Sequence, residues 1–177
     1  MTHRFLITGG PGFGKSSIIS ELEKKGHTVF HEIARHIIQN QLVTGGTFTP
    51  WQDVQAFSDQ VLEGRKIQYD EGLGKTAFYD RGVPDIAAFL KKDKKEIPPE
   101  LWDYCLKNKY FNTVFITPPW ESIFHSDAER KEDFMNAIRV HRAIESVYTE
   151  LGYQLVHIPM GSIPWRAQFL LDFAGIK

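Results

Sequence analysis

The chain has 177 residues, is 42% apolar and carries a formal net charge of −1. That suits one buried core in a single domain spanning 1–177, and it lacks the basic excess of a general nucleic-acid binder. One cysteine, Cys105, excludes an intrachain disulfide and fits a quiet thiol in a reducing cytoplasm. No apolar run approaches the roughly 18 residues that cross a bilayer, and a glycine-rich segment already begins at Gly9, so neither a membrane partner nor a leader peptide is expected.

The first strand-like run, Arg4 to Thr8, leads into Gly9-Gly10-Pro11-Gly12-Phe13-Gly14-Lys15-Ser16, where Gly, Lys and Ser stand at G-x-x-x-x-G-K-[ST] spacing. With Ser17 this reads as a phosphate-binding P-loop. Its glycines permit positive φ and let backbone N–H groups face a polyphosphate, and the helix that follows adds its positive N-terminal end. Lys15 then partners the β- and γ-phosphates and Ser16 ligates Mg²⁺, so ATP or GTP with Mg²⁺ is the expected cofactor. The helix should run from Lys15 to Lys25, bury Ile18, Ile19 and Leu22, and stop at Gly26.

A second strand-like run, Thr28 to His31, ends before Glu32. On a helix opening there, Arg35 shares a side with Glu32, either as its salt-bridge partner or as a contact for an acidic group on a substrate. Thr49-Pro50-Trp51-Gln52 reads as an N-cap with proline at N1 and glutamine at N3, opening a long helix through about Tyr69. Thr76 to Tyr79 forms the third run, followed by Asp80, and the mixed charges Lys91 to Glu96 read as a solvated loop. After a fourth run, Thr113 to Thr117, come a helix from about Ala128 to Leu151, a fifth run from Gln154 to Ile158 and a last helix from about Ser162 to Gly175. Strands alternating with helices argue for a parallel sheet with crossover helices. Among the aromatics, Phe48, Trp51, Phe57, Tyr69 and Phe78 could stack on a ligand ring, although helical spacing assigns most of them to the core.

Carboxylates at the ends of parallel strands face the edge where open α/β sheets bind ligands. Phosphoryl transfer needs one carboxylate for Mg²⁺ and another group for the attacking oxygen, roles that Asp80 and Glu32 would fill. Each could instead cap the helix that follows it.

Asp80-Arg81-Gly82 resembles the Asp-Arg-x motif of the P-loop deoxynucleoside and thymidylate kinases, which implies that Arg81 contacts the acceptor and that Glu32 activates its hydroxyl. More of the chain is similar to a family of small bacterial proteins identified as ATPases or AAA-type ATPases, related to the nicotinamide riboside kinase domain of a bacterial NAD regulator. That likeness rests on Gly9 to Ser16, Glu32-Ile33-Ala34-Arg35, Gly45-Gly46, Asp80-Arg81-Gly82-Val83-Pro84-Asp85, Pro118-Pro119-Trp120 and Gly152-Tyr153. It implies a five-stranded parallel sheet of order 2-3-1-4-5 with helices on both faces, and a kinase acting on a nucleoside-like small molecule. A lid over about 120–133 is implied, with Arg130 either closing on the transferring phosphate or sitting at a solvated helix start. The same motifs also serve an NTP hydrolase or a nucleotide-dependent switch without a small acceptor, or a module that binds nucleotide without chemistry. Nothing sets the oligomeric state.

Overall fold

A computed structural model describes residues 2–124 and 133–176. Its sheet has the order β2-β3-β1-β4-β5, and every pairing is parallel. The strands are β1 (Arg4–Thr8), β2 (Thr28–Phe30), β3 (Ala77–Asp80), β4 (Thr113–Ile116) and β5 (Gln154–His157). Between them run the helices α1 (Lys15–Lys24), α2 (Ile33–Thr44), α3 (Val54–Glu71), α4 (Pro84–Lys92), α5 (Pro99–Lys107), α6 (Phe134–Glu150) and α7 (Ile163–Ala174). The sequence expectation of a 2-3-1-4-5 sheet with helices on both faces is met.

Strand alternation sorts the core into two halves. Leu6, Tyr79, Val114 and Ile116 face one side and pack with Ala87 and Ala88 of α4 and Val140, Ile144 and Val147 of α6. Phe5, Ile7, Phe78 and Phe115 face the other and pack with Ile18, Ile19 and Leu22 of α1 and Leu170 and Leu171 of α7. The three central strands are thus covered on both faces, which is why they read as continuous apolar runs, while the edge strands β2 and β5 stay partly open.

Two helix starts differ from expectation. α3 begins at Val54 with Asp53 as its cap, the carboxylate accepting from the Ala56 amide at 3.0 Å. Thr49 instead closes a separate turn, its carbonyl accepting from Gln52 and Asp53. A second Ser/Thr/Asp-type residue only four positions on competed for the cap, and the acid took it. α6 begins at Phe134 with Asp133 capping the Asn136 amide, so the expected start at Ala128 comes too early, and residues 128–132 lie outside the described segments. Lys91 and Lys92 complete the last turn of α4, where Lys91 bonds Ser146 and Glu150 of α6, so the solvated loop is shorter than expected. Among the described residues no helix is long and apolar enough to cross a membrane.

Candidate active site

Parallel strands bring their carboxyl ends to one edge, where a cleft of about 1440 Å³ opens. β1 delivers the glycine-rich loop to it. Gly9 has φ 130°, and a Cβ there would stand 2.5 Å from Thr117 Oγ1, while Gly14 caps α1 in the left-handed region at φ 81°. Only glycine meets both demands. Pro11, Gly12, Gly14, Lys15, Ser16 and Ser17 line the cleft. The Gly10 carbonyl accepts from Lys15 Nζ at 2.8 Å, and the fully buried Phe13 ring packs on Phe124, Phe134 and His141, anchoring the loop from beneath. Phe13 therefore has only backbone to offer a ligand.

Burial, reinforced by Arg81, pulls the Lys15 pKa down to about 7 against the raising influence of Asp80 and Glu32. An arriving polyphosphate reverses that balance and favours the charged amine. Ser16 Oγ donates to Asp80 Oδ2 at 2.8 Å, while Asp80 Oδ1 is buried with no hydrogen-bond partner. Burial, then the neighbouring Glu32, raises the Asp80 pKa. A hydroxyl beside an orphaned, desolvated carboxylate oxygen fits a hard divalent cation that keeps its remaining ligands as phosphate and water. Ser16 and Asp80 are the residues able to hold Mg²⁺.

The expected helix-capping alternative fails for both carboxylates. Glu32 occupies the N-cap position of α2 without a side-chain cap bond, and α4 is capped at Val83, not Asp80. Glu32 Oε1 instead accepts from Arg81 Nε at 2.7 Å. Burial works to raise the Glu32 pKa, but Arg81, then Lys15 and Arg65, outweigh it and hold the group at about 2. Arg81 also donates through Nη1 to the Gly9 carbonyl at 3.0 Å and to Asp85 at 2.9 Å. It sits at φ 73°, a left-handed conformation that a non-glycine side chain keeps only when its surroundings over-determine it. Arg35 lies on α2 and lines the same cleft as Glu32. Arg130 falls outside the described residues.

The aromatics divide differently from expectation. Tyr69 and Phe78 are core, Phe57 lines the cleft, and Phe48 and Trp51, both ahead of the α3 start at Val54, are exposed.

Three buried residues were not singled out from the sequence. Asp85 accepts from Thr8 Oγ1, the Gly82 amide and Tyr148 Oη as well as from Arg81, which makes it the anchor of the network. Arg65 Nη1 donates to the Gly82 carbonyl at 2.9 Å. Arg166 Nη2 donates to the Phe13 carbonyl at 3.3 Å. Their signal was there: Val61, Arg65 and Tyr69 repeat every four residues on the buried face of α3, and Arg166 shares the buried stripe of α7 with Ala167, Leu170 and Leu171. A charge inside an apolar stripe marks a buried ion.

The arrangement can hold a polyphosphate on the loop, a divalent cation at Ser16 and Asp80, and a hydroxyl at Glu32 and Arg81. Solved structures share the fold. Thymidylate kinase from Candida albicans aligns at TM-score 0.67 and 15% identity, over 98% of this chain and 91% of that one. Deoxyadenosine kinase from M. mycoides with bound dATP aligns at TM-score 0.65 and 13% identity, over 97% and 99%. Shikimate kinase from Acinetobacter baumannii in complex with shikimate aligns at TM-score 0.62 and 14% identity, over 98% and 93%. A comparison with curated proteins finds no match. At such identities the likeness establishes the P-loop kinase fold, and a family model described as an AAA domain matches residues 4–166: the chain belongs to that family of P-loop domains.

Proposed function

We propose that the protein is a Mg²⁺-dependent phosphotransferase that moves the γ-phosphoryl group of ATP, or GTP, to a hydroxyl of a small nucleoside-like acceptor. The observation that carries this reading is the end of β3. Asp80 reaches Ser16 at 2.8 Å, and its neighbour Arg81 reaches Glu32 at 2.7 Å, so adjacent residues tie the phosphate loop to a second carboxylate across the cleft. In a hydrolase the same Glu32 would orient water in place of an acceptor hydroxyl.

In this reading the loop and Lys15 bind the β- and γ-phosphates, and Ser16 and Asp80 would hold Mg²⁺, which would neutralise charge developing on the phosphates. Glu32 spends Oε1 on Arg81 and keeps Oε2 for the acceptor hydroxyl. The acceptor oxygen bonds to the γ-phosphorus as the bond to the β-bridging oxygen breaks, the hydroxyl proton passes to Glu32, and the nucleoside diphosphate leaves. A carboxylate with a pKa near 2 is a weak base. In a loose transition state the nucleophile loses its proton late, so orientation of the hydroxyl carries more of the effect than basicity. Arg81 positions the acceptor, and Arg35 stands on α2 to contact an acidic substituent.

The AAA description of the family favours one rival, an NTP hydrolase or switch with no small acceptor. Incubation with γ-labelled ATP and a panel of nucleosides, nucleotides and nicotinamide riboside separates them. Label on a defined acceptor supports the kinase, whereas label appearing only as inorganic phosphate across the panel defeats it.

A further inference from the structure

Arg166 lies on α7, 1% exposed, and reaches the phosphate loop from the C-terminal helix. Among the described residues its guanidinium makes one hydrogen bond, the 3.3 Å contact of Nη2 with the Phe13 carbonyl, and no carboxylate lies within ion-pair distance. Nε is buried without any partner. Nη1 stands beside Gly14, where an added Cβ would come within 2.7 Å of it, and the Trp120 ring lies 5.4 Å from Cζ. Both Arg166 and Trp120 line the cleft together with Gly12, Gly14 and Ser17.

Burial lowers the Arg166 pKa, and no acid among the described residues opposes the shift. A buried guanidinium left without a counter-charge is costly, and the cost persists only where something else supplies the missing charge. Supporting a loop carbonyl does not require a cation, because a neutral donor would do as well. A polyphosphate on Gly12 to Ser17 would bring anionic oxygens to the wall that Arg166 lines. We infer that Arg166 is a nucleotide-binding residue whose guanidinium pairs with a phosphate oxygen of the donor beside Gly14. This rests on the nucleotide-binding reading of the loop and adds to it a cation from outside the P-loop motif.

Calorimetric titration of the parent, R166M and R166K with Mg²⁺·ADP and with Mg²⁺·tripolyphosphate, which has neither base nor ribose, tests the assignment. R166M should lose roughly 10- to 100-fold in affinity for both probes, the range expected for one charge-assisted contact, and R166K should recover part of the loss. R166M binding both probes within twofold of the parent would overturn the proposal and leave a structural strut. A loss for ADP with none for tripolyphosphate also overturns it, since the residue would then serve the base or ribose. If R166M does not fold, R166K carries the test, with a loss of at least about threefold for both probes expected from the poorer geometry of an ammonium and unchanged affinity contradicting it. A parent that binds neither probe would overturn the nucleotide-binding reading itself, and this proposal with it.

Discussion

Arg81 and Arg166 are buried to nearly the same degree beside the same loop, at 2% and 1% exposure, and differ in their company. Arg81 has two carboxylates and a carbonyl, and Glu32, then Asp85, raise its pKa against burial. Among the described residues Arg166 has one long contact to a carbonyl and an orphaned Nε. A buried charge that the protein itself neutralises holds other groups in place. One left unneutralised is available to a ligand. Lys15 behaves more like Arg166 than Arg81, since burial and then Arg81 pull its pKa to about 7 despite the nearby Asp80 and Glu32. Substitutions in the first group should therefore be felt as lost stability, and those in the second as lost binding.

The largest expected effect sharpens the second half of that contrast. Lys15→Ala should abolish turnover and weaken ATP·Mg²⁺ binding by about 1.5–3 kcal/mol, with the melting temperature of the free protein kept or raised. Undiminished affinity by calorimetry would break the assignment of the loop.

Asp85→Ala tests the other half. It leaves Arg81 with one carboxylate and strips Thr8 and Tyr148 of their acceptor, so chemical denaturation should show a loss of about 3–5 kcal/mol. Burial works to raise the Asp85 pKa, but Arg81 and Arg65 outweigh it and lower the value. The folded pKa therefore lies below that of the unfolded chain. The stabilisation is present above about pH 4 and fades as the pH falls through the folded value, so Asp85→Asn should flatten the acid limb of stability against pH. An unaltered acid limb would remove Asp85 from the framework.

Asp80 stands between the groups, because one oxygen is paired to Ser16 and the other is orphaned. Asp80→Asn keeps the shape and deletes the charge, so nucleotide affinity should fall more with Mg²⁺ than without it. Equal losses would point to a purely structural role.

The smallest effect is a proton count. With the free Lys15 pKa at about 7 and a bound polyphosphate raising it, binding at pH 8 should take up a fraction of a proton, declining toward pH 6. Calorimetry in buffers of differing ionisation enthalpy measures it, and uptake that persists in Lys15→Ala would assign it to another group.

How much of this was legible in the sequence depends on range. The loop Gly9–Ser16 and the strand ends at Glu32 and Asp80 came from contiguous spacing and apolar runs, which local physics makes readable, whereas the sheet order, a matter of long-range pairing, came through the family resemblance. The start of α3 was misplaced because Thr49 and Asp53 are both competent caps, and only tertiary packing decides between them. Arg65 and Arg166 escaped notice because their partners, Gly82 and Phe13, lie 17 and 153 residues away, and Asp85, quoted only as the end of a motif, takes its bond from Tyr148 across 63 residues. Pairing at such distances leaves no local pattern beyond a charge in an apolar stripe. The pairing of Glu32 with Arg81, 49 residues apart, was not foreseen, because helical spacing offered the nearby Arg35 as the salt-bridge partner of Glu32.

The central claim is that the end of β3 joins a phosphate donor to an acceptor held by Glu32. Glu32→Gln keeps size and hydrogen bonding but cannot take a proton. With γ-labelled ATP and the best acceptor, measured alongside calorimetric ATP affinity, it should lose about 10²–10⁴ in acceptor-dependent transfer while ATP affinity stays within about twofold. Transfer to the acceptor at the parental rate, or loss confined to acceptor-independent phosphate release, would contradict the account.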